Sequence, residues 1–228
     1  MNRKPDPIHP TSPDAITSVG PTPTRGLAFG RALDVTVAAV ALTVLAVPMV
    51  IIGLVIRLTS KGPALFAQQR IGYRGQTFTM YKFRTMRTGV GDEILRESAA
   101  ELRGEGTSVN GSGTLDGDAR VTSIGAFLRK TSLDEVPQLL NVLFGDMSLV
   151  GPRPCLEWEA RTLPTEFQSR FSVRPGITGL RQVSDRSTVS TLEMLQLDLA
   201  YVRTRNRVGD LSILLRTVPS LLRDRSAR

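Results

Sequence analysis

Residues 35–56 read VTVAAVALTVLAVPMVIIGLVI, a run of 22 residues without a charged side chain. As an α-helix this run is about 33 Å long, which is enough to cross the hydrocarbon core of a bilayer. It begins too late in the chain and is too long for a secretory signal. The run therefore predicts a membrane helix, and a buried core helix is the alternative.

Two features indicate that this helix enters the membrane and returns to the same side. Pro48 lies inside the run, where a proline removes a helical hydrogen bond and clashes with the preceding turn. Positive charge marks the cytoplasmic side of a membrane segment, and both flanks are basic. The flanking residues are Arg25 and Arg31 before the run and Arg57, Lys61, Arg70 and Arg74 after it. We predict a re-entrant membrane helix over residues 25–60, broken at Pro48; a plain span, kinked at Pro48, is the alternative.

The remaining residues predict one domain preceded by a tail. Residues 1–24 are rich in Pro, Ser and Thr and predict a disordered tail. Residues 61–228 show no change of composition that would mark a second globular domain, and 89–117 predict a short polar helix followed by a partly flexible loop. We expect a mixed α/β, mainly helical fold, in which a small membrane-associated domain with a short β-element follows the membrane helix.

Amphipathic helices are predicted near the C-terminus. In TLEMLQLDLAYVRTR, residues 191–205, the apolar side chains of Leu192, Leu195, Leu199 and Val202 share one stripe. The final segment, LSILLRTVPSLLRDRSAR, is apolar and ends in basic residues, which suits an anionic membrane interface. Both are expected to be interfacial helices.

Composition limits the partners and the chemistry. The net charge is +8, which favours an anionic partner, while the low aromatic content of 5% argues against single-stranded nucleic acid. Cys155 is the only cysteine and therefore has no partner for an internal disulfide. His9 is the only histidine and lies in the tail, which excludes histidine general-base catalysis and histidine-rich zinc sites. Catalysis would have to use carboxylates, lysines and arginines.

The segment SLDEVPQLLNV, which begins at Ser132, carries two adjacent carboxylates. Ser132 and Glu135 have the spacing of a capping box, with Ser132 as the helix cap. Asp134 is the alternative cap, because Pro137 would then lie in the first turn, where a backbone N–H has no partner within the helix. In either register the carboxylates lie at a positively polarised helix end, which would keep Asp134 ionised as a nucleophile requires. The segment alone leaves a structural role and a catalytic role equally open.

Basic residues in stiff segments are candidate phosphate ligands. Lys82 and Arg84 fall on one face of the predicted strand TFTMYKFRTM, and Arg129 precedes the carboxylate pair. Arg153 lies between prolines and Arg174 precedes one, so a stiffened backbone would hold their guanidinium forks for bidentate contact with phosphate. The Gly-rich loops of the common nucleotide-binding motifs are absent from the sequence.

Four ordered segments carry a resemblance to a known family. They are RALDVTVAAVAL with the Val-Pro that follows, RIGYRGQTFTMYKFRTM, DARVTSIGAFLRKTSLDEVPQLLNVLFGDMSLVGPRP and VRPGITGLRQVSDRS. Together, from about Arg31 to Tyr201, they resemble the bacterial sugar transferases, which are monotopic polyprenyl-phosphate phosphoglycosyl transferases. The resemblance is to the short form, which consists of the catalytic unit alone.

This resemblance implies an activity and a location. Such enzymes transfer a sugar-1-phosphate from a UDP-sugar to undecaprenyl phosphate and release UMP, at the cytoplasmic face of the bacterial inner membrane. The reaction initiates assembly of exopolysaccharide, capsule, O-antigen or glycoprotein glycans, and downstream glycosyltransferases are implied partners. Mg²⁺ is the implied cofactor, and the implied partners do not include nucleic acid.

The resemblance also implies roles for individual residues. The catalytic Asp-Glu dyad matches Asp134 and Glu135, with Asp134 a candidate Mg²⁺ ligand. The phosphate-binding positions match Lys82, Arg129, Arg153 and Arg174 in this chain. The family's helix break matches Val47-Pro48. Leu180 and the tripeptide Ser184-Asp185-Arg186 depart from the family pattern, which leaves the identity of the sugar open.

A non-catalytic interpretation competes with this one. The chain would be a membrane-docked basic module that binds anionic lipid, and residues 134–137 would be a plain helix start. A soluble nucleic-acid-binding protein is a third interpretation, which the uncharged run at 35–56 disfavours.

Overall fold

The computed structural model describes residues 27–87, 120–184 and 191–223. The helices in these ranges are α1 (Leu27–Thr59), α2 (Ser123–Thr131), α3 (Gln138–Phe144), α4 (Glu157–Thr162), α5 (Leu180–Val183), α6 (Thr191–Thr204) and α7 (Arg207–Arg223). The strands are β1 (Leu65–Ile71), β2 (Thr77–Phe83), β3 (Ser148–Val150) and β4 (Gly176–Thr178), and 3-10 segments lie at Tyr73–Gly75, Leu133–Glu135 and Thr165–Ser172. This part of the chain is mainly helical with short sheets, as expected. The predicted tail at 1–24 and the predicted helix and loop at 89–117 lie outside the described residues.

Helix α1 has one packed face and one exposed apolar face. The packed face is formed by Ala38, Ala41, Leu42, Leu45, Met49, Ile52 and Ile56. The exposed face, here called the α1 stripe, is formed by Leu33, Val37, Val40, Val44, Val47, Ile51, Leu54 and Leu58. Both sets recur every three or four residues, which is the period of a helix with two distinct faces. A core helix would be covered on all sides, so the alternative of a buried core helix is wrong.

Within the described residues, α1 is the helix that is long and apolar enough to cross a membrane, by length and composition alone. It remains helical on both sides of Pro48, so the predicted break does not end the helix. A proline removes one hydrogen bond of the helical ladder. Leu45 and Met49 pack against the domain on either side of it and hold the two halves in place. The re-entrant path through a membrane stays a prediction.

Both ends of α1 are attached to the same domain. Near the start, the Arg31 guanidinium donates from Nη1 to the carbonyl oxygen of Val142, 2.5 Å away, and from Nη2 to that of Leu143, 2.9 Å away. Beyond the last turn, Arg84 Nη2 donates to the Ser60 carbonyl at 2.8 Å and to the Ser60 hydroxyl at 2.6 Å. Guanidinium groups at helix C-termini satisfy carbonyls that have no donor within the helix.

Strands β1 and β2 form the antiparallel hairpin that the alternating sequence predicts, with Leu65 opposite Phe83 and Ile71 opposite Thr77. The fully buried Asn141 of α3 bonds to the outer edge of β2. Its side-chain oxygen accepts from the Tyr81 amide at 3.1 Å, and its side-chain nitrogen donates to the Thr79 carbonyl at 2.6 Å. These bonds fix the distance between α3 and the hairpin, and both elements carry site residues.

Strands β3 and β4 form a parallel pair that the sequence did not predict, because FSVRPGITG was interpreted as a basic loop. Three-residue strands are too short for alternation to be recognised. The pair needs glycine at its close approach: a Cβ on Gly176 would lie 2.1 Å from the Gly151 nitrogen. The pair places Pro152 and Arg153, which follow β3, next to the chain that enters β4.

The predicted C-terminal helices are present as α6 and α7. Leu199 is buried, Leu195 and Val202 are packed on the core, and Leu192 is exposed, so most of the predicted α6 stripe faces inward. In α7 the buried Ile213 faces the core. Three large apolar side chains of α7 are exposed and are here called the α7 stripe: Val208, Leu211 and Leu215.

Candidate active site

The carboxylate pair lies in a single 3-10 turn between α2 and α3. Ser132 ends α2 in the left-handed conformation, with φ of 55°, and its backbone amide donates to the carbonyls of Leu128 and Arg129. Its hydroxyl caps no helix, and the Glu135 amide donates to the Ser132 carbonyl instead. Helix α3 begins only after Pro137. The predicted capping box and the predicted Asp134 cap are therefore both wrong, because the end of α2 determines the Ser132 backbone.

Lys82 and Glu135 form an ion pair that joins the hairpin to this turn. Lys82 Nζ lies 2.7 Å from Glu135 Oε1, and both side chains are largely buried. Strand alternation directs Lys82 toward the turn, while Tyr81 and Phe83 face the other way. Lys82 was predicted as a phosphate ligand, and the structure places it beside the dyad with a carboxylate as its partner.

Asp134 is only 9% exposed, and this burial affects the protonation of its carboxyl group. Desolvation raises the pKa of Asp134 from 3.8 to about 6. The positive charges of Lys82 and Arg129 oppose this rise, and the negative charge of Glu135 adds to it. Burial, and not the polarised helix end considered in the sequence analysis, therefore has the largest effect on the pKa of Asp134. At pH 7 about nine-tenths of the Asp134 carboxyl groups are still ionised, since one pH unit is a factor of ten.

Arg129 and Arg84 have different roles from each other. Arg129 Nε donates to the Thr85 hydroxyl at 3.0 Å, which holds the guanidinium near Asp134. Arg84 is 5% exposed and bonds to Ser60 at the end of α1. Its role as a phosphate ligand stays a prediction: β2 ends at Phe83, and Arg84 Nη2 is directed to the end of α1.

Four arginines form an electrostatically linked cluster, which reaches the dyad through Arg70 because Arg70 interacts with the charge of Glu135: Arg70, Arg153, Arg170 and Arg181. Burial, followed by repulsion from Arg153, lowers the pKa of Arg70 to about 10, while Glu159 and Glu135 oppose the shift. Burial and then repulsion from Arg153 also lower the pKa of Arg181. Arg170 forms a buried ion pair with Asp198 of α6 at 2.8 Å. Mutual repulsion in a partly buried cluster favours an anionic ligand between the guanidinium groups.

Of these four arginines, Arg153 was predicted as a phosphate ligand, and it is exposed at the rim of the cluster. Arg70, Arg170 and Arg181 were missed as site residues. Arg70, near the end of β1, had been considered only among the basic residues that flank the membrane helix. Arg181 follows Leu180, where the departure from the family pattern had been noted. Ser184 is half-buried, and Asp185 and Arg186 lie outside the described residues.

Arg174 lies away from the dyad. Its Nε donates to the Gly145 carbonyl at 2.8 Å, at the far end of α3, and its guanidinium lies 5.5 Å from the centre of the Tyr73 ring. Helix α3, seven residues and roughly 10 Å long, separates Gly145 from the turn that holds the dyad. Arg174 therefore bonds at the end of α3 away from Asp134 and Glu135, while its backbone lies beside Gly151, two residues before Arg153.

The dyad fits the sparse protein ligation that Mg²⁺ uses with phosphate substrates. Among the described residues, no group of three or more His, Cys, Asp or Glu side chains is arranged as a metal cage. Mg²⁺ is commonly held by one or two carboxylates together with substrate phosphates and water. Asp134 and Glu135 supply two adjacent carboxylates next to a cationic cluster suited to those phosphates.

Carboxylates surrounded by lysine and arginine define a site for phosphate-bearing ligands, and comparison with known proteins identifies the family. The model of the bacterial sugar transferase family matches residues 26–224. The chain is 44% identical over 202 residues to the UDP-glucose:undecaprenyl-phosphate glucose-1-phosphate transferase of Caulobacter vibrioides, covering 84% of this chain and 69% of that protein. It is 38% identical over 197 residues to the exopolysaccharide production protein ExoY of Rhizobium meliloti, covering 86% and 87%.

A third relative is the undecaprenyl-phosphate galactose phosphotransferase of Salmonella typhimurium, at 41% identity over 162 residues, covering 71% of this chain and 34% of that protein. The chain belongs to the bacterial sugar transferase family, which confirms the resemblance recognised in the sequence.

Proposed function

We propose that this protein transfers a sugar-1-phosphate from a UDP-sugar to undecaprenyl phosphate, releases UMP and thereby initiates assembly of a polysaccharide or glycoconjugate. The observation that carries the proposal is the Asp134-Glu135 pair held between Lys82, Arg129 and the arginine cluster. The names of the Caulobacter and Salmonella relatives support the acceptor and the transfer type for those proteins.

In the first step Asp134 acts as the nucleophile. One carboxylate oxygen attacks the sugar-bearing phosphorus of the donor, and the bond from that phosphorus to the bridging oxygen breaks. UMP leaves with the bonding electron pair, and the sugar phosphate stays as an acyl phosphate ester on Asp134. Two easier displacements replace one difficult displacement. The pKa of about 6 leaves Asp134 ionised at neutral pH yet less stabilised by water than an exposed carboxylate.

In the second step a phosphate oxygen of undecaprenyl phosphate attacks the same phosphorus. The bond to Asp134 breaks, its carboxylate is restored, and the lipid-linked diphosphate sugar leaves. We assign to Glu135 the acceptance of a proton from the acceptor phosphate, and its contact with Lys82, which holds the carboxylate in position, supports this assignment. When bound at the dyad, Mg²⁺ would supply charge neutralisation for the phosphate oxygens.

The arginine cluster is assigned to the donor diphosphate. Charge spreads over the non-bridging oxygens during phosphoryl transfer, and preorganised cations stabilise it. Arg153 is exposed, and its positive charge repels the charges of the more buried Arg70 and Arg181. A diphosphate between them would relieve that repulsion, which supports binding of the donor at this end of the site.

We assign α1 to the bacterial inner membrane with the domain at the cytoplasmic face. The α1 stripe is apolar over its whole length, and the opposite face packs on the domain. Arg31 and Arg84 attach the two ends of α1 to that one domain. Because both ends of α1 attach to one domain, both ends lie on the same side of the membrane. This supports the re-entrant arrangement over a plain span.

Release of UMP tests the proposal. Full-length protein in detergent is incubated with undecaprenyl phosphate, Mg²⁺ and each member of a panel of UDP-sugars. At least one donor should give UMP together with lipid-linked sugar, and donor labelled with ³²P in the sugar-bearing phosphate should leave a trapped adduct when the acceptor is omitted. If no donor gives UMP while the protein still binds anionic vesicles, the membrane-docked lipid-binding module is the better interpretation.

A further inference from the structure

A second cationic site lies at the opposite end of α3 from the dyad. It is a cavity of about 200 Å³ lined by residues from five separate parts of the chain, among them Arg31, Tyr73, Ser148, Arg174 and Arg205. This volume exceeds the share of liquid volume taken by one water molecule, about 30 Å³, by several-fold. The cavity therefore has room for a phosphate group and part of what the phosphate is attached to.

The donors of Arg174 and Arg205 are only partly used within the described residues. Arg174 bonds through Nε to the Gly145 carbonyl, which leaves its two terminal nitrogens toward the cavity side of the Tyr73 ring. Arg205 has Asp210 as its partner at 3.8 Å, a distance beyond a good hydrogen bond. The Asp210 carboxylate is already 2.8 Å from the Tyr201 hydroxyl.

The acidic group inside the cavity is committed elsewhere. Asp34 accepts from the Ser148 hydroxyl at 2.8 Å and from the Leu149 amide at 3.1 Å. These bonds fix the start of α1 on β3 and use both carboxylate oxygens. The lining holds three guanidinium groups, of Arg31, Arg174 and Arg205, against the single carboxylate of Asp34, and this positive balance favours an anionic ligand.

Exposed apolar side chains lie close in sequence to Arg31 and Arg205, which line the cavity, and to Gly145, which Arg174 contacts. The α1 stripe begins at Leu33 and Val37, within one helical turn of Arg31 and Asp34. The α7 stripe begins at Val208, three residues after Arg205. Phe144, which precedes the Gly145 carbonyl bound by Arg174, is 69% exposed. A cationic cavity between apolar stripes matches a lipid, whose phosphate is anionic and whose chains are apolar.

We propose that the cavity between Arg174 and Arg205 binds the phosphate headgroup of an anionic membrane lipid, with the lipid chains along the α1 and α7 stripes. Helix α3 has seven residues and is roughly 10 Å long; it lies between this cavity and the dyad and separates the bound lipid from the reacting phosphorus. The lipid is accordingly not consumed there. It orients the domain on the membrane by holding the start of α1 against the α6–α7 connection.

Arg205→Gln tests the site with little risk to folding. The contact between Arg205 and Asp210 is 3.8 Å long, and Asp210 would still accept the hydrogen bond from the Tyr201 hydroxyl. Arg203→Gln is the matched control, because Arg203 is an exposed arginine two residues earlier, in the last turn of α6. Binding of short-chain phosphatidylglycerol to the full chain in neutral detergent is measured by the rise in unfolding temperature. No UDP-sugar is present, so the outcome is independent of turnover.

Arg205→Gln should weaken phosphatidylglycerol binding about tenfold, the effect of losing one hydrogen bond between charged groups. Arg203→Gln should bind like the unchanged protein, and Arg205→Lys should retain part of the affinity. Equal binding by the two glutamine variants would overturn the site, since general surface charge would then explain the affinity. Glycerol 3-phosphate, which lacks chains, should bind far more weakly, and equal binding would overturn the lipid assignment.

Undecaprenyl phosphate is the other lipid whose phosphate could occupy the cavity, and competition with phosphatidylglycerol distinguishes the two. In the proposal, phosphatidylglycerol competes with it only weakly for turnover, because the two lipids use different ends of α3. If Arg205→Gln weakened undecaprenyl phosphate tenfold and left phosphatidylglycerol unchanged, the cavity would be an acceptor site and the proposed separate lipid would be wrong.

Discussion

Lys82 Nζ lies 2.7 Å from Glu135 Oε1, although 53 positions separate the two residues in the chain. The same ammonium group also opposes the rise of the pKa of Asp134 that burial causes. One lysine on β2 therefore acts on both carboxylates of the dyad: it orients Glu135 by contact and keeps Asp134 more ionised through its charge.

Replacing Lys82 with Met should change the pH dependence of the reaction. Without the positive charge the pKa of Asp134 should rise above its present value of about 6. The acid limb of the kcat/KM profile should then move to higher pH, and Lys82→Arg should restore most of its position. A Lys82→Met enzyme with reduced kcat/KM but an unmoved acid limb would mean that Lys82 does not set the charge of Asp134.

Asp134→Asn should abolish turnover and stabilise the fold at high pH. The native pKa of about 6 lies above the ordinary 3.8, so the folded state holds this proton more tightly than the unfolded state does. The wild-type protein therefore loses stability as the pH rises from about 4 to 6, by up to roughly 3 kcal/mol.

The asparagine variant does not undergo this loss, and its unfolding temperature should exceed that of the wild type at pH 8 and approach it near pH 4. It should release no UMP and form no ³²P adduct. Substantial turnover by Asp134→Asn would exclude Asp134 as the nucleophile.

Arg70→Ala and Arg153→Ala should each lower kcat/KM about 100-fold, the effect of removing one preorganised charge-stabilising donor. Lysine should restore Arg153 poorly, because a point charge does not reproduce a guanidinium fork. Arg203→Ala provides an exposed-arginine control and should keep wild-type kinetics. Wild-type rates in Arg153→Ala would show that Arg153 is an ordinary surface arginine with no role in binding the donor phosphates.

Arg84→Met should act on stability and not on donor binding. Arg84 satisfies the Ser60 carbonyl and hydroxyl at the end of α1. Its loss should cost about 1–3 kcal/mol, as for leaving a buried polar group without its partner. Thermal unfolding should show the loss, while the KM for the UDP-sugar in the folded fraction stays unchanged. A raised KM at unchanged unfolding temperature would instead support the original interpretation of Arg84 as a phosphate ligand.

Cysteine labelling tests the path of α1. Single cysteines at positions 27 and 60, in a Cys155→Ser background, should be labelled from the same side of the membrane in intact cells, because both ends of α1 attach to one domain. Pro48→Ala should favour a straight spanning helix. Labelling from opposite sides in the unchanged helix would show a plain span.

The sequence by itself determined the features that depend on chain neighbours. The length of α1, the alternation within β2 and the helical stripe of α6 all follow from local periodicity. The family resemblance and the Asp134-Glu135 candidate pair were also visible in the sequence. The capping box was a local inference that failed, because the end of α2 holds Ser132 in the left-handed conformation.

Only the tertiary structure decided which charges meet. Lys82 contacts Glu135, Arg84 caps α1, and Arg174 lies at the far end of α3. Burial, which raises the pKa of Asp134, and repulsion within the cluster around Arg70 arise from side chains that are distant in sequence. Electrostatic energy depends on distance and desolvation in space, and the residue spacing along this chain specifies neither quantity.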